Sequence, residues 1–226
     1  MNTLKEIVEK FQEKEVKPYV QLDDKICWLI SLSVVTALGT TRHMDEIVEQ
    51  AAISGLSSEA MAEAIVHCTP YAGYPKAQEG LDALYETLEA KGMALPSGDQ
   101  STVTEATRMK KGLEAQYFIC GQELIDANRQ NAPEELKHIQ DYLSDYCFGD
   151  FYTRGAIDIH TRELLTFVIL AALGCVEPQL KAHIAGNLNV GNDRSVLLSA
   201  ITWCVPYIGF PKTLNAINAI NTMTKE

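Results

Sequence analysis

Three signatures are missing from this chain of 226 residues: a Cys-x-x-Cys pair, a glycine-rich phosphate loop and a Gly-x-Ser-x-Gly turn. The first absence removes both the ligand spacing of a structural zinc site and a local dithiol. The other two remove nucleotide-cradling loops and the nucleophile elbow of serine hydrolases. Long hydrophobic runs are missing too. The two longest, Ile26–Leu38 and Leu164–Cys175, fall short of the ~20 residues a membrane-spanning helix needs. Basic residues are scarce, with 19 Lys and Arg against 30 Asp and Glu, for a formal net charge of −11. That balance argues against nucleic-acid and anionic-membrane partners, which require basic patches. Nothing reads as a strand, since Val34-Val35 sits inside a helical pattern. Met1 to Val16 alternates charged and apolar residues, unlike the apolar stretch of a signal peptide, so the expected location is cytoplasmic. There the scattered cysteines (Cys27, Cys68, Cys120, Cys147, Cys175 and Cys204) are expected to be reduced, most of them acting as small core hydrophobes.

What is present is helical periodicity, written twice. Asp158 precedes an apolar helix, Glu163 to Leu173, that stops at Gly174, and Pro178 opens the next helix. Earlier, Asp23 is a plausible N-cap for Ile26–Leu38, Gly39 is the stop, and a helix follows from His43 to Ile53. Ser57 or Ser58 then caps the segment Met61 to Cys68. Both passages end alike, in Pro70-Tyr71-Ala72-Gly73-Tyr74-Pro75-Lys76 and Pro206-Tyr207-Ile208-Gly209-Phe210-Pro211-Lys212. This is a tandem duplication. It predicts an all-α protein of two domains, residues 1–94 and 104–226, joined by a Pro/Gly/Ser-rich linker at 95–103. Between the repeats the pattern predicts one long helix from Thr104 to about Asn128. Another opens at Pro133, with Leu136, Ile139, Leu143 and Tyr146 on one face.

Glu163, Cys175 and His183 are the side chains of the second hairpin that suggest chemistry. Each also has a plain structural alternative: a first-turn acid favoured by the helix dipole, a buried thiol, and a hydrogen-bonded interior histidine. Asn187 follows His183 by one helical turn and faces the same way. Tyr207 is a candidate pocket hydroxyl or a packed aromatic, and Asp150 and Arg154 either line a pocket or form a loop salt bridge. On one straight helix Glu163 and Cys175 would stand about 18 Å apart. The expectation is therefore either a break before Gly174 or completion of the site by a neighbouring copy. In the first repeat Trp28 stands in Glu163's place, Thr40 or Thr41 in that of Cys175, and Ile47 or Val48 in that of His183. This points to function in the second repeat and a scaffold role for the first. Glu63 with His67 and Glu135 with His138 read as isolated surface pairs, so no metal site is expected.

Four stretches together carry a family resemblance: Leu173-Gly174, Glu177-Pro178-Gln179-Leu180-Lys181-x-His183, Gly186-Asn187-x-Asn189-Val190-Gly191-Asn192, and the Pro206 to Pro211 ending. With Gly149-Asp150-Phe151 and Asp158-x-x-Thr161-Arg162, they resemble the carboxymuconolactone decarboxylase-like family, which includes the alkylhydroperoxidase D-like proteins. The likeness covers residues 110–219 well and 22–77 more weakly. It implies an all-helical alkylhydroperoxidase D-like fold, and an oligomer. Single-domain members commonly form hexameric rings, so two fused copies imply a homotrimer. Alkylhydroperoxidase D-like members carry Glu, Cys-x-x-Cys and His. Glu163 and Cys175 match the first two positions, Pro178 replaces the second Cys, and His183 lies one residue off the usual spacing.

The leading functional expectation is cofactor-free, thiol-dependent hydroperoxide reduction, a peroxiredoxin-like activity. Cys175 would be the nucleophile, His183 the base and Glu163 its orienting partner. An external thiol would complete the cycle, because the local resolving thiol is missing. The alternative is decarboxylation of a small lactone acid, with His183 handling the proton and Arg162 or Arg154 holding the carboxylate. The third expectation is a non-catalytic oligomer that binds a small acid or carbonyl compound.

Overall fold

The computed structural model describes residues 3–224, so the outermost positions of the two expected domains lie outside the described residues. The architecture is all-helical, with no strand among those residues. The first repeat contains α1 (Thr3–Phe11), α2 (Asp24–Leu38), α3 (Met44–Ile53), α4 (Ser58–Val66), α5 (Thr69–Ala72) and α6 (Tyr74–Ala90). A connecting region carries α7 (Arg108–Cys120), α8 (Gln122–Asn131) and α9 (Lys137–Tyr142), which runs on into a widened π-helical segment, Leu143–Tyr152. The second repeat is α10 (Ile159–Leu173), α11 (Glu177–Asn189) and α12 (Arg194–Met223).

Local chemistry sets these boundaries. The Asp23 side chain accepts from the Lys25 N–H, Ser57 from Ala60, Asp158 from Thr161 and Asp193 from Val196, so all four are N-caps. Gly39 ends α2 at φ 71°, in the left-handed region that glycine enters without a Cβ clash. The long helix expected from Thr104 to Asn128 is broken: α7 starts at Arg108, and Gly121 at φ 87° separates it from α8. Pro133 is followed by a short 3₁₀ turn before α9 begins. Residues 95–103, the expected linker, form no helix.

The apolar helices α2 and α10 pack against each other at the centre, and each also packs on α12. One continuous core joins Ile30, Leu32, Val34 and Ile65 of the first repeat to Leu165, Phe167, Ile201 and Trp203 of the second. Burial on this shared seam is what couples the repeats, at roughly 25 cal/mol for each Å² of apolar surface removed from water.

The duplicated Pro-Tyr-x-Gly-aromatic-Pro-Lys motif does the same three things in both repeats. Gly73 (φ 89°) turns the chain between α5 and α6, and Gly209 (φ 74°) breaks α12 into two helical halves at the matching place. Pro75 and Pro211 lie in the first turn of the helix that follows. Lys76 Nζ donates to the Ala37 carbonyl (2.6 Å) and Lys212 Nζ to the Ala172 carbonyl, so each lysine caps the open end of its own repeat's central helix. The tyrosines, by contrast, cross over. Tyr207 meets Ser31 of the first repeat at 3.1 Å, and Tyr71 meets Tyr152 beside the second repeat's hairpin at 2.9 Å.

Candidate active site

Glu163 sits in the first turns of α10, entirely buried, and His183 lies in the antiparallel α11. Asn187 ties the two helices: its Nδ2 donates to the Glu163 carbonyl (3.0 Å) and the His183 carbonyl (2.7 Å). His183 Nδ1 then stands 2.7 Å from Glu163 Oε1. Gly186 leaves room for this carboxylate, because a Cβ there would come within 2.3 Å of Glu163 Oε1. The pair therefore forms inside one hairpin of unbroken helices.

The other carboxylate oxygen, Oε2, accepts from the Tyr152 hydroxyl at 2.7 Å. Tyr152 is also 2.7 Å from Thr166 Oγ1, and Tyr71 donates to it at 2.9 Å. Behind Thr166 lies His67, with Nε2 at 2.9 Å from Thr166 Oγ1 and 3.0 Å from the Arg162 carbonyl. Burial holds the His67 imidazole well below its usual range, with the Arg162 charge adding to the effect, and burial raises the Tyr71 and Tyr152 phenols. The Glu63–His67 pair expected at the surface is thus an interior feature, with Glu63 2% and His67 0% exposed.

This has a consequence for stability. A histidine kept neutral in the fold costs stability once the unfolded chain begins to bind the proton. The contribution is intact above pH about 6.5, the ordinary histidine value, and is lost as pH falls below it. The loss is at most about 1.4 kcal/mol for each pH unit. Urea midpoints recorded from pH 7.5 to 5.5 are expected to fall more steeply for the natural chain than for His67→Gln.

The His183 ring opens on a groove of about 360 Å³, whose walls include Tyr71, Ile139, Leu143, Tyr146, Cys147 and Gln179. The face Leu136, Ile139, Leu143 and Tyr146, expected to be a helix's apolar side, stays 40–48% exposed, and three of its four residues form a wall of the groove. The Tyr71 and His183 rings meet edge to face at 5.8 Å. Among the described residues no lysine or arginine lines this groove, and no cluster of three or more His, Cys, Asp or Glu is suited to a metal ion.

Several expected site residues lie elsewhere. Cys175 is exposed at the hairpin turn with φ 58°, beside Gly174, Lys212 and Asn215. No hydrogen bond among the described residues joins it to Glu163 or His183, and it is not the buried structural thiol of the alternative reading either. Cys175 is not among the residues that wall the His183 groove. The thiol in the groove is Cys147, 3.8 Å from the Tyr71 hydroxyl, and burial pushes it up to about 12. Tyr207 faces Ser31 across the repeat seam, so its counterpart Tyr71 occupies the place expected for it. Arg162 is 0% exposed and bound to Glu63 (2.9 Å) and to the carbonyls of Arg154 and Gly155. Arg154 also binds Glu63 (Nε–Oε1 3.0 Å) and reaches Asp99. Asp150 is paired with Arg108 (3.0 Å) and braces α7 against the π-helical segment. These three charges are already paired away from the groove.

Sequence reasoning missed Tyr71, Tyr152, Thr166, His67 and Cys147. The repeated tyrosine motif was the available signal for Tyr71, but only a seam that exchanges tyrosines makes it point to this groove.

The carboxymuconolactone decarboxylase family profile matches residues 3–86 and 137–222, most of the chain. The chain belongs to the carboxymuconolactone decarboxylase family. A curated relative, 4-carboxymuconolactone decarboxylase of Acinetobacter baylyi (strain ATCC 33305 / BD413 / ADP1), is 27% identical over 124 residues. That match covers 55% of this chain and 92% of the relative. The two matched segments are the duplicated repeats, so this family member carries two copies of the fold in one chain. Its Glu163–His183 pair is found in the second copy, and the first holds Trp28 at the equivalent place, packed edge-on against Trp203 at 5.4 Å. No helix among the described residues is long and apolar enough to cross a membrane.

Proposed function

We propose that this family member is a cofactor-free decarboxylase acting on a small unsaturated lactone acid, with His183 as proton donor and Glu163 as its orienting partner. The observation that carries the reading is the buried Glu163–His183 pair opening on an apolar groove without a cation. Loss of CO₂ spreads the carboxylate's charge into the conjugated ring, and apolar walls favour that dispersed charge over the localised carboxylate. The C–CO₂⁻ bond breaks, its electron pair passes into the lactone carbonyl, and the enolate carbon takes a proton. The sum is RCO₂⁻ + H⁺ → RH + CO₂. With Nδ1–H held by Glu163, the His183 Nε2 is the atom free to take a proton from water and pass it to the enolate carbon. The lactone acid named for the Acinetobacter relative is the first substrate to test.

Thiol-dependent peroxide reduction through Cys175 has less support, since its sulfur stands outside the groove and Cys147, within it, is held as the thiol. All six cysteines are free, which fits the reducing cytoplasm. We extend the proposal to a homotrimer, in which three double-repeat chains take the place of six single ones. Multi-angle light scattering should return about three times the 25.0 kDa chain mass. A mass of one chain would remove the ring from this account.

A further inference from the structure

The first repeat has lost the Glu, Cys and His of the candidate site, yet two of its side chains reach the second repeat's pair. His67 lies against Thr166, and Tyr71 against Tyr152 and the groove. We infer that His67, Thr166, Tyr152 and Glu163 form a one-way hydrogen-bond array, headed in the first repeat, that fixes which nitrogen of His183 carries its proton. The inference rests on His183 as the reacting base and adds positioning residues to it.

The direction of the array follows from its ends. At the far end His67 Nδ1 faces the Arg162 guanidinium at 3.5 Å. A guanidinium only donates, so Nδ1 is the bare nitrogen and Nε2 carries the hydrogen. Nε2–H donates to the Arg162 carbonyl and to Thr166 Oγ1. Thr166, accepting on its oxygen, has two acceptors within reach of its hydrogen, the Arg162 carbonyl at 3.1 Å and the Tyr152 oxygen at 2.7 Å. The array uses the shorter link, to the Tyr152 oxygen that Tyr71 also supplies, because the Tyr152 hydrogen is committed to Glu163. The Tyr152 oxygen thus accepts twice, and its own hydrogen goes to Glu163 Oε2.

Every link points toward the carboxylate. Glu163 is therefore an acceptor at both oxygens, and at Oε1 its donor is His183 Nδ1–H. The opposite arrangement, a carboxylic acid donating to a bare Nδ1, would place the hydrogen on Nε2. It would also leave the groove facing a nitrogen already protonated in the neutral ring. Ring tautomers are set by the hydrogen bond on the opposite nitrogen, so the array decides whether Nε2 can accept and return a proton.

The mirror position provides the internal contrast. Ser31, the counterpart of Thr166, receives Trp203 Nε1–H at 2.9 Å and meets Tyr207 at 3.1 Å. There Trp28 stands in Glu163's place, so that network ends without a carboxylate.

The test needs no substrate, so it stands or falls independently of the decarboxylase reading. Imidazole ¹⁵N shifts are recorded on the full chain at pH 9, with the His183 signal assigned by its loss in His183→Ala. The expected result is a protonated Nδ1 and a bare Nε2 in the natural chain. Thr166→Val and Tyr152→Phe should each lose the single tautomer and give a mixture, while Ser31→Ala leaves the spectrum unchanged. A bare Nδ1 in the natural chain overturns the inference. So does a single unchanged Nδ1–H tautomer in both array variants, with native folding confirmed by circular dichroism.

Discussion

His183→Ala is expected to slow CO₂ release from the lactone acid by roughly 10²–10⁴-fold, the range typical for removing a positioned proton-transfer group. The loss should fall on kcat more than on KM. The ring contributes one edge among many apolar contacts in the groove, so substrate still enters, and what disappears is the proton at the enolate carbon. The fold should survive, because His183 lies on the groove wall and the Asn187 bridge to the Glu163 carbonyl does not pass through its ring. Continuous detection of CO₂ together with a thermal melt separates lost chemistry from lost structure. Equal kcat in the variant would mean that another group supplies the proton.

The second large effect is on stability. Glu63→Ala is expected to destabilise the fold by about 3–5 kcal/mol, because it leaves a buried cation unpaired. Arg162 is 0% exposed and its Nη2 lies 2.9 Å from Glu63 Oε2, while Arg154 binds the same carboxylate from the partly exposed side. The cluster bridges the seam, with Glu63 from the first repeat, Arg162 from the second and Arg154 from the loop that leads into it. Total stabilities of domains are commonly about 5–15 kcal/mol, so this one pair accounts for a large share. Urea denaturation should show the midpoint falling sharply in Glu63→Ala and recovering substantially in Glu63→Ala/Arg162→Leu. Recovery in the double variant separates an uncompensated charge from lost packing. A midpoint unchanged by Glu63→Ala would show that the arginines find other partners.

Much of the fold was legible because its signals are local. Asp23, Ser57 and Asp158 cap helices through atoms two or three residues away, and Gly39 and Gly174 end helices through their own backbone angles. The duplication was legible because identical turn chemistry recurs in both copies. The site was legible only in part. Glu163 and His183 stood out as polar residues in an apolar hairpin, and Asn187 was placed by helical spacing. What the sequence did not reveal is which repeat each tyrosine faces. Tyr71 and Tyr207 occupy the same position in the same motif, and nothing within several residues of either records that they cross the seam. Glu63 and His67 looked like surface groups for the same reason: the arginine and threonine that satisfy them lie far along the chain. Cys175 stood out because it sits at the family position in sequence, and its sequence neighbours do not record that the turn at Gly174-Cys175 leaves it off the walls of the His183 groove.

The central claim is that the chemistry belongs to the His183–Glu163 pair and not to a thiol. The most direct measurement compares the natural chain with Cys175→Ser and Glu163→Gln in two assays, CO₂ release from the lactone acid and consumption of an organic hydroperoxide with a dithiol reductant. The account predicts CO₂ release that is retained in Cys175→Ser and severely reduced in Glu163→Gln, with no hydroperoxide turnover that depends on Cys175. Hydroperoxide turnover abolished by Cys175→Ser, without CO₂ release by the natural chain, would contradict it.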